Sequence, residues 1–208
     1  MEQSQPETLP QPAPIDDQAL WLDLTSGDDL RAEKAALALA DLALEGEEKI
    51  LKRLRGLLQA PEADRRWWAL RSLAGIKSES VIDLLIRGLK DSDASVRQCA
   101  ALGLRLHPHP IAVPALTEAF ADADHLVVEL AADALAQIGA PAVPALLDIL
   151  SRGPQAKRLE AMRALATIGD SRAIPALFSA LDEDSALMEY WASEGLERMG
   201  LGMVYFKP

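Results

Sequence analysis

The apolar positions of this chain repeat with a period of about 31 residues. An alanine recurs at that interval, at Ala38, Ala69, Ala100, Ala131, Ala161 and Ala192. A leucine stands four residues after each alanine, at Leu42, Leu73, Leu104, Leu135, Leu165 and Leu196. A second apolar series keeps the same period, at Leu54, Leu85, Leu116, Leu146 and Leu177. Because the spacings within each unit are helical, the pattern predicts a repeat of two helices, A followed by B.

Turn residues mark the predicted helix ends. Prolines open the B helices at Pro114, Pro144 and Pro175, since a helix tolerates proline in its first turn. Glycines close the A helices at Gly139, Gly169 and Gly200, where positive φ is expected. The predicted repeats span 28–60, 61–91, 92–122, 123–153 and 154–184, and a sixth A helix spans 186–200. We therefore predict an all-α fold, an α-solenoid of about five and a half helix–turn–helix repeats.

The segments outside the repeats have their own composition. Residues 1–15 hold four prolines and no base, which predicts a disordered, proline-rich, acidic tail. Residues 16–27 are expected to contain a capping helix whose Leu20, Trp21 and Leu24 cover the first repeat. The repeat domain is assigned to 28–200. The apolar tail 201–208 either folds back over the last helix or docks on a partner.

The segment DSDASVRQCAALGL, at 91–104, resembles the HEAT-like repeat of the phycobilin lyase type. That pattern is roughly Asp-x-Asp-x-x-Val-Arg-x-x-Ala-Ala-x-Ala-Leu-Gly, followed by a B helix. The segments 131–150 and 161–181 are similar to the same repeat, and the resemblance covers 28–200. It implies a HEAT-like, armadillo-like superhelix. Lyases, scaffolds, adaptors and some hydroxylases share such repeats, so the resemblance also implies an accessory role in bilin attachment or removal as one alternative.

Charge and composition narrow the classes of partner. The chain has 32 acidic and 21 basic residues, a net charge of −11, which disfavours a nucleic-acid binder. A single cysteine excludes an internal disulfide framework. No uncharged apolar run reaches the ~18 residues needed to span a bilayer, and the N-terminus lacks a signal pattern. We expect a cytoplasmic protein without a membrane partner, and we favour a monomer.

The candidate groups for catalysis and metal binding are few. HEAT-like metal hydroxylases carry paired His-Glu dipeptides, whereas none of His107, His109 and His125 is followed by glutamate. The His107–x–His109 pair lacks a third ligand at suitable spacing. Cys99 aligns with apolar positions, which predicts a buried thiol rather than a nucleophile. The sequence therefore predicts no catalytic residue, no metal ligand and no cofactor.

Arginines recur at one position of helix A, at Arg66, Arg97 and Arg158. One interpretation is a ladder of contacts to an anionic partner. The other, which we favour, is that each arginine pairs with an acid between the repeats or with a helix end.

Two surfaces are candidates for binding a protein partner. Residues 30–106 have a net charge of +3 between two flanks of −7 each, with a basic patch around the first two repeats. Such a run is often only a solvated face. The candidate contacts in this patch are Lys52, Arg53, Arg55 and Arg66, with Trp67 as an apolar anchor or a packing residue. The second surface is a ridge of the B helices, expected on the concave side, with Arg87, Lys90, Glu118 and Asp148. We therefore predict a non-enzymatic scaffold or adaptor that binds another protein.

Overall fold

The computed structural model describes residues 17–201, and every regular element in that range is helical. The predicted tail 1–15 and the aromatic residues of the C-terminal tail lie outside the described residues. The α-helices are α1 (Asp17–Leu24), α2 (Asp29–Leu57), α3 (Ala63–Gly75), α4 (Ile82–Gly88), α5 (Ala94–Leu106), α6 (Val113–Ala119), α7 (His125–Ile138), α8 (Val143–Arg152), α9 (Gln155–Ile168), α10 (Ile174–Ala180) and α11 (Ala186–Arg198). None of the helices in this range is long and apolar enough to cross a bilayer.

The helices alternate between two layers, as the repeat pattern predicts. The A helices α3, α5, α7, α9 and α11 pack side by side, and each of the B helices α4, α6, α8 and α10 packs against the A helix that follows it. Short 3-10 turns precede the B helices, at Glu79–Val81, Pro110–Ala112, Ala140–Ala142 and Ser171–Ala173. The predicted glycines close the A helices with φ of 78° at Gly139, 66° at Gly169 and 77° at Gly200. The all-α solenoid is confirmed.

Small residues let neighbouring A helices approach each other closely. Gly195 of α11 lies so near α9 that a Cβ atom there would meet Cα and Cβ of Ala166 at 3.0 Å. The core between the layers is filled by fully buried leucines of both apolar series, including Leu73, Leu104 and Leu135 from A helices and Leu85 from a B helix. The A layer is therefore held together by close backbone approach and the two layers by leucine packing.

The first repeat departs from the 31-residue period. Its A and B helices are joined within α2, which is interrupted at Gly46 by an extended backbone with φ −160°. The alanine and leucine that pack into the core are Ala35 and Leu39, whereas Ala38 and Leu42, which the period selects, are half-buried. Leu39 precedes Leu54 by 15 residues, against 12 in the next two repeats. The extra residues at the A–B junction shift helix A by about one turn.

Helix α1 covers the outer side of the first repeat. Trp21 and Leu24 are buried in the core, and Leu20 packs partly against it. Asp28 then begins α2 by accepting hydrogen bonds from the backbone N–H groups of Leu30 and Arg31, at 3.0 and 3.1 Å. An apolar face that a terminal repeat would expose to water is thus covered by the chain that precedes it.

Candidate protein-binding surface

Each recurring arginine binds an acid at the end of its own repeat and a backbone carbonyl at the end of the repeat before it. Arg97 donates from Nε and Nη2 to the two carboxylate oxygens of Asp122, at 2.7 and 2.9 Å, and from Nη1 to the carbonyl oxygen of Asp91 at 2.9 Å. Arg66 makes the same two-pronged contact with Asp91 at 2.7 and 2.8 Å. Arg158 donates to Glu183 at 2.5 Å. In each pair the acid follows the arginine by 25 residues. The arginines therefore act as structural links, as we favoured from the sequence.

These pairs also change the acidity of their members. The hydrogen bonds from Arg97 and Arg66 lower the pKa of Asp122 and Asp91, respectively, below the ordinary value. The second acid of each Asp-x-Asp has a different task, because Asp93 and Asp124 cap the following A helices through their side chains. The motif therefore combines an arginine acceptor with a helix cap.

The structure corrects the role expected for Arg66. We expected its side chain among the contacts to a partner, but only 12% of that side chain is exposed. Besides Asp91, its Nη1 binds the carbonyl oxygens of Ala60 and Pro61, both at 2.9 Å. Because Nε, Nη1 and Nη2 are all engaged inside the chain, Arg66 has little left to offer a ligand.

Two of the three histidines and the cysteine also serve the fold. His107 Nε2 lies 2.9 Å from the carbonyl oxygen of Ala74, and His109 Nδ1 accepts from the N–H of Ile111 at 3.2 Å. Cys99 is 5% exposed, and burial raises the pKa of its thiol to about 12. Among residues 17–201, no group of three His, Cys, Asp or Glu residues is placed to hold a metal ion.

The sequence did not reveal a network of charged side chains that crosses the layer of A helices. Asp133 of α7 lies between Arg163 of α9 at 2.6 Å and Arg105 of α5 at 3.5 Å. Arg163 also binds the buried carboxylate of Glu160 at 2.9 Å. One feature of the sequence could have indicated this network. The charge changes sign at one position of the repeat, which is occupied by Arg71, Asp133 and Arg163.

The remaining basic residues of the patch are exposed on α2. Lys52, Arg53 and Arg55 face solvent, and the guanidinium of Arg53 lies over the ring of Trp21, 4.4 Å from its centroid. That contact ties the patch to the capping helix. Trp67 stands on α3, half-buried, with its ring edge-on to Trp68 at 4.7 Å.

The ridge of B helices is exposed but partly paired. Lys90 binds Glu118 at 3.1 Å, which links the second and third repeats, and Asp148 binds Arg152 on its own helix at 3.2 Å. Arg87 is different, because its side chain forms no ion pair or hydrogen bond with any part of the chain that the structure describes.

The structure brings together two residues that the sequence placed on separate surfaces. Arg55 and Arg87 line one groove between the first and second repeats, which we call the basic groove. Its other lining residues are Leu58, Gln59, Leu70, Leu84, Gly88, Asp91 and Val96. The sequence did carry the signal, since 32 residues separate the two arginines, which is close to one repeat.

Layered helix pairs, with an arginine–acid contact recurring within the repeats and a capping helix at one end, define a helical-repeat solenoid. The sequence model of the HEAT repeats family matches residues 20–105, 82–157 and 143–202. The chain belongs to the HEAT-repeat family. The similar proteins described below support the expected likeness of its repeats to the phycobilin-lyase type.

Two similar proteins have names that refer to phycocyanin or to the phycobilisome. An uncharacterized phycocyanin operon protein Z of Pseudanabaena tenuis is 29% identical over 149 residues, 67% of this chain and 74% of that protein. A phycobilisome maturation protein of Synechococcus elongatus is 38% identical over 89 residues, 42% of this chain and 43% of that protein.

Solved structures show the same fold. The complex of CpcE and CpcF of phycocyanin lyase from Nostoc matches with a TM-score of 0.57 and 22% identity, over 72% of this chain and 99% of the matched chain. A designed armadillo repeat protein in complex with the peptide (KR)4 matches with a TM-score of 0.53 and 19% identity, over 88% and 98% of the two chains. Both likenesses concern the path of the backbone.

Proposed function

We propose that this protein is a non-enzymatic scaffold that binds another protein during maturation of the phycobilisome. The observation that carries the proposal is how the polar side chains are used. The three recurring arginines and His107 hold repeats together, His109 caps a turn, and Cys99 is buried. Among residues 17–201, the side chains of Arg55 and Arg87 have no ion-pair or hydrogen-bond partner, and both line one surface groove. That arrangement suits recognition rather than bond chemistry.

The maturation context is supported by the relatives. One is named a phycocyanin operon protein and another a phycobilisome maturation protein. We take the partner to be a protein component of that assembly and the site of action to be the cytoplasm.

A second candidate follows from the same names. The protein is then an accessory lyase or chaperone subunit that helps attach a bilin to its acceptor protein or remove it. This candidate requires that a bilin, and not only a protein, interact with the chain or with its complex.

The two candidates are separated by binding measurements on the purified full chain. It is mixed with apo-phycocyanin subunits, or with free phycocyanobilin, and each mixture is passed over a size-exclusion column with absorbance detection. The scaffold predicts co-elution with an apo-subunit and no visible absorbance in the peak of the chain mixed with bilin alone. Bilin absorbance in that peak, or faster covalent attachment of bilin when the chain is present, would favour the accessory lyase. Elution of the chain alone in both mixtures would contradict both candidates for this acceptor class.

A further inference from the structure

The basic groove combines two features that suit one kind of ligand. Arg55 stands in the last turn of α2 and Arg87 in the last turn of α4, so two different helices each contribute an arginine to the lining of one groove. Both side chains are exposed, and neither pairs with any residue in 17–201. Elsewhere in this range most arginines are bound to an acid, as Arg66, Arg97 and Arg163 are. Two unpaired guanidiniums are a ready site for carboxylates.

The charge balance of the groove favours an acidic ligand. Asp91 also lines it, but Arg66 holds both oxygens of that carboxylate and neutralises it. What remains is the positive charge of Arg55 and Arg87, with exposed Lys52 one turn before Arg55 on the same helix. This excess stands out in a chain whose net charge is −11.

Part of the groove lining is apolar. Leu58 lines it and is only half-buried, together with the buried residues Leu70 and Leu84. The exposed Gln59 also lines the groove and supplies an amide that both donates and accepts. An apolar side chain seated on Leu58 would remove remaining apolar surface from water, while the arginines stay at the rim.

We propose that the basic groove binds a short acidic segment of the partner protein, with one apolar side chain against Leu58 and carboxylates on Arg55 and Arg87. The proposal rests on the proposed scaffold function and adds the chemistry of what the scaffold recognises. Because both arginines line the same groove, one short segment can contact both of them. Each guanidinium can donate two parallel hydrogen bonds to one carboxylate.

The test begins with a selection that assumes nothing about the ligand. Phage-displayed random dodecapeptides are selected on the full chain, and the enriched peptides are measured by fluorescence anisotropy at low and high salt. We expect enriched peptides to be acidic, with a recurring leucine, isoleucine or phenylalanine between the acids. Their affinity should fall about tenfold or more in the variant Arg55→Glu/Arg87→Glu and less in Arg55→Lys/Arg87→Lys, which keeps the charge but loses the fork.

The matched control carries the same change of net charge at another place. Lys34 and Lys77 are exposed and unpaired within the described part of the chain, so Lys34→Glu/Lys77→Glu tests the general field of the molecule. Circular dichroism melts establish that every variant is folded. Equal loss of affinity in both charge-reversal variants would overturn the proposal that the basic groove is the binding site, because the effect would then come from long-range electrostatics.

The other outcomes are equally distinct. The proposal for the basic groove would be wrong if the enriched peptides were basic or uncharged. It would also be wrong if they bound the Arg55→Glu/Arg87→Glu variant as tightly as the parent. Neither result would contradict the proposed scaffold function. A failure of the scaffold function would show separately, as an absence of complex with the apo-subunits. Deletion of residues 1–16, which contain three acids and no base, tests a ligand within the chain. If peptide affinity rises severalfold, the groove's occupant is that segment, and the assignment to a partner is wrong.

Discussion

At the scale of single residues, the acids between repeats divide two tasks that look alike in the sequence. Asp122 accepts two hydrogen bonds from Arg97 of α5, and Asp124 caps α7 through the N–H of Val127. The fourth repeat lacks both members of the pair, because Val128 and Gly153 stand where the arginine and its acid would be. Val128 is buried instead. A partner-binding ladder would have no reason to lose arginine and acid together, whereas a structural pair would.

The first prediction concerns the strength of that pair. Arg97 and Asp122 are only 16% and 11% exposed, so their contact is less screened than a surface ion pair. We expect Arg97→Ala and Asp122→Asn each to lower the free energy of unfolding by about 1–3 kcal/mol. The double variant should cost less than the sum, as for residues in contact. Urea unfolding measures all three, and Arg152→Ala, at an exposed pair, should cost within ~0.5 kcal/mol. Additive losses would mean that the pair contributes nothing.

A second prediction uses the lowered pKa of Asp91 and Asp122. A carboxyl with a lower pKa in the folded chain than its unfolded value of about 3.9 stabilises the fold above that value. This stability is lost as the pH falls through the folded pKa. We therefore expect Asp91→Asn/Asp122→Asn to be less stable than the parent at pH 7, with the gap narrowing steadily below about pH 4. A gap that is constant between pH 7 and pH 3 would contradict the ionised pairs.

The third prediction concerns the leucine layer. Leu104 is fully buried between neighbouring helices, so Leu104→Ala should cost about 2–5 kcal/mol through lost contacts and a cavity. Leu135→Ala should behave alike for the same reason. Gln98 is half-buried and donates one hydrogen bond to Asp124, at 3.1 Å, so Gln98→Ala should cost only about 0.5 kcal/mol. Denaturant melts in the reverse order would refute the assigned register.

At the scale of helices, proline and glycine predicted the helix ends correctly in the middle part of the chain. Proline occupies the first turn of α6, α8 and α10, and glycine with positive φ follows α7 and α9. The first repeat has neither signal at its A–B junction. There the period alone selected Ala38 and Leu42, and the buried pair is Ala35 and Leu39.

The fourth prediction concerns the capping helix α1. Deleting residues 1–16 should leave the melting temperature nearly unchanged, whereas deleting 1–26 should lower it, because the second deletion removes Trp21 and Leu24 from the core. Asp28 remains in both truncations and still caps α2. Trp21→Ala in the full chain should destabilise by about 3–5 kcal/mol and so reproduce part of the loss. Equal melting temperatures for the two truncations would mean that the first repeat is stable without a cap.

At the scale of the whole molecule, charge is separated along the solenoid. The basic segment 30–106 stands between acidic flanks, and an acidic partner should be steered to it. Steering acts through the sum of exposed charges, whether or not each one contacts the partner. Arg53 is a poor reporter of this effect because it also packs over Trp21.

The fifth prediction follows from that field. Lys52→Glu should slow the association of an acidic partner and flatten its dependence on salt, with the dissociation rate changed less, because Lys52 is exposed but does not line the basic groove. Surface plasmon resonance with a selected acidic peptide measures both rates. Trp67→Ala should leave the association rate unaltered. A faster dissociation of that variant would identify Trp67 as an apolar contact, and an unchanged rate would identify it as a packing residue. An unchanged association rate in the charge variant would argue against steering by this patch.

The sequence by itself determined the fold class, the repeat length and most helix ends. These follow from local chemistry, because helical periodicity, proline without an N–H and glycine with positive φ act over a few residues. It also favoured the structural interpretation of Arg97 and its equivalents. Only the tertiary structure decided which side chains remain free. Whether Arg66 is engaged or Arg55 and Arg87 share a groove depends on contacts between residues about one repeat apart. Such contacts depend on how the helices stack, which a one-residue difference in repeat length or a longer junction can change.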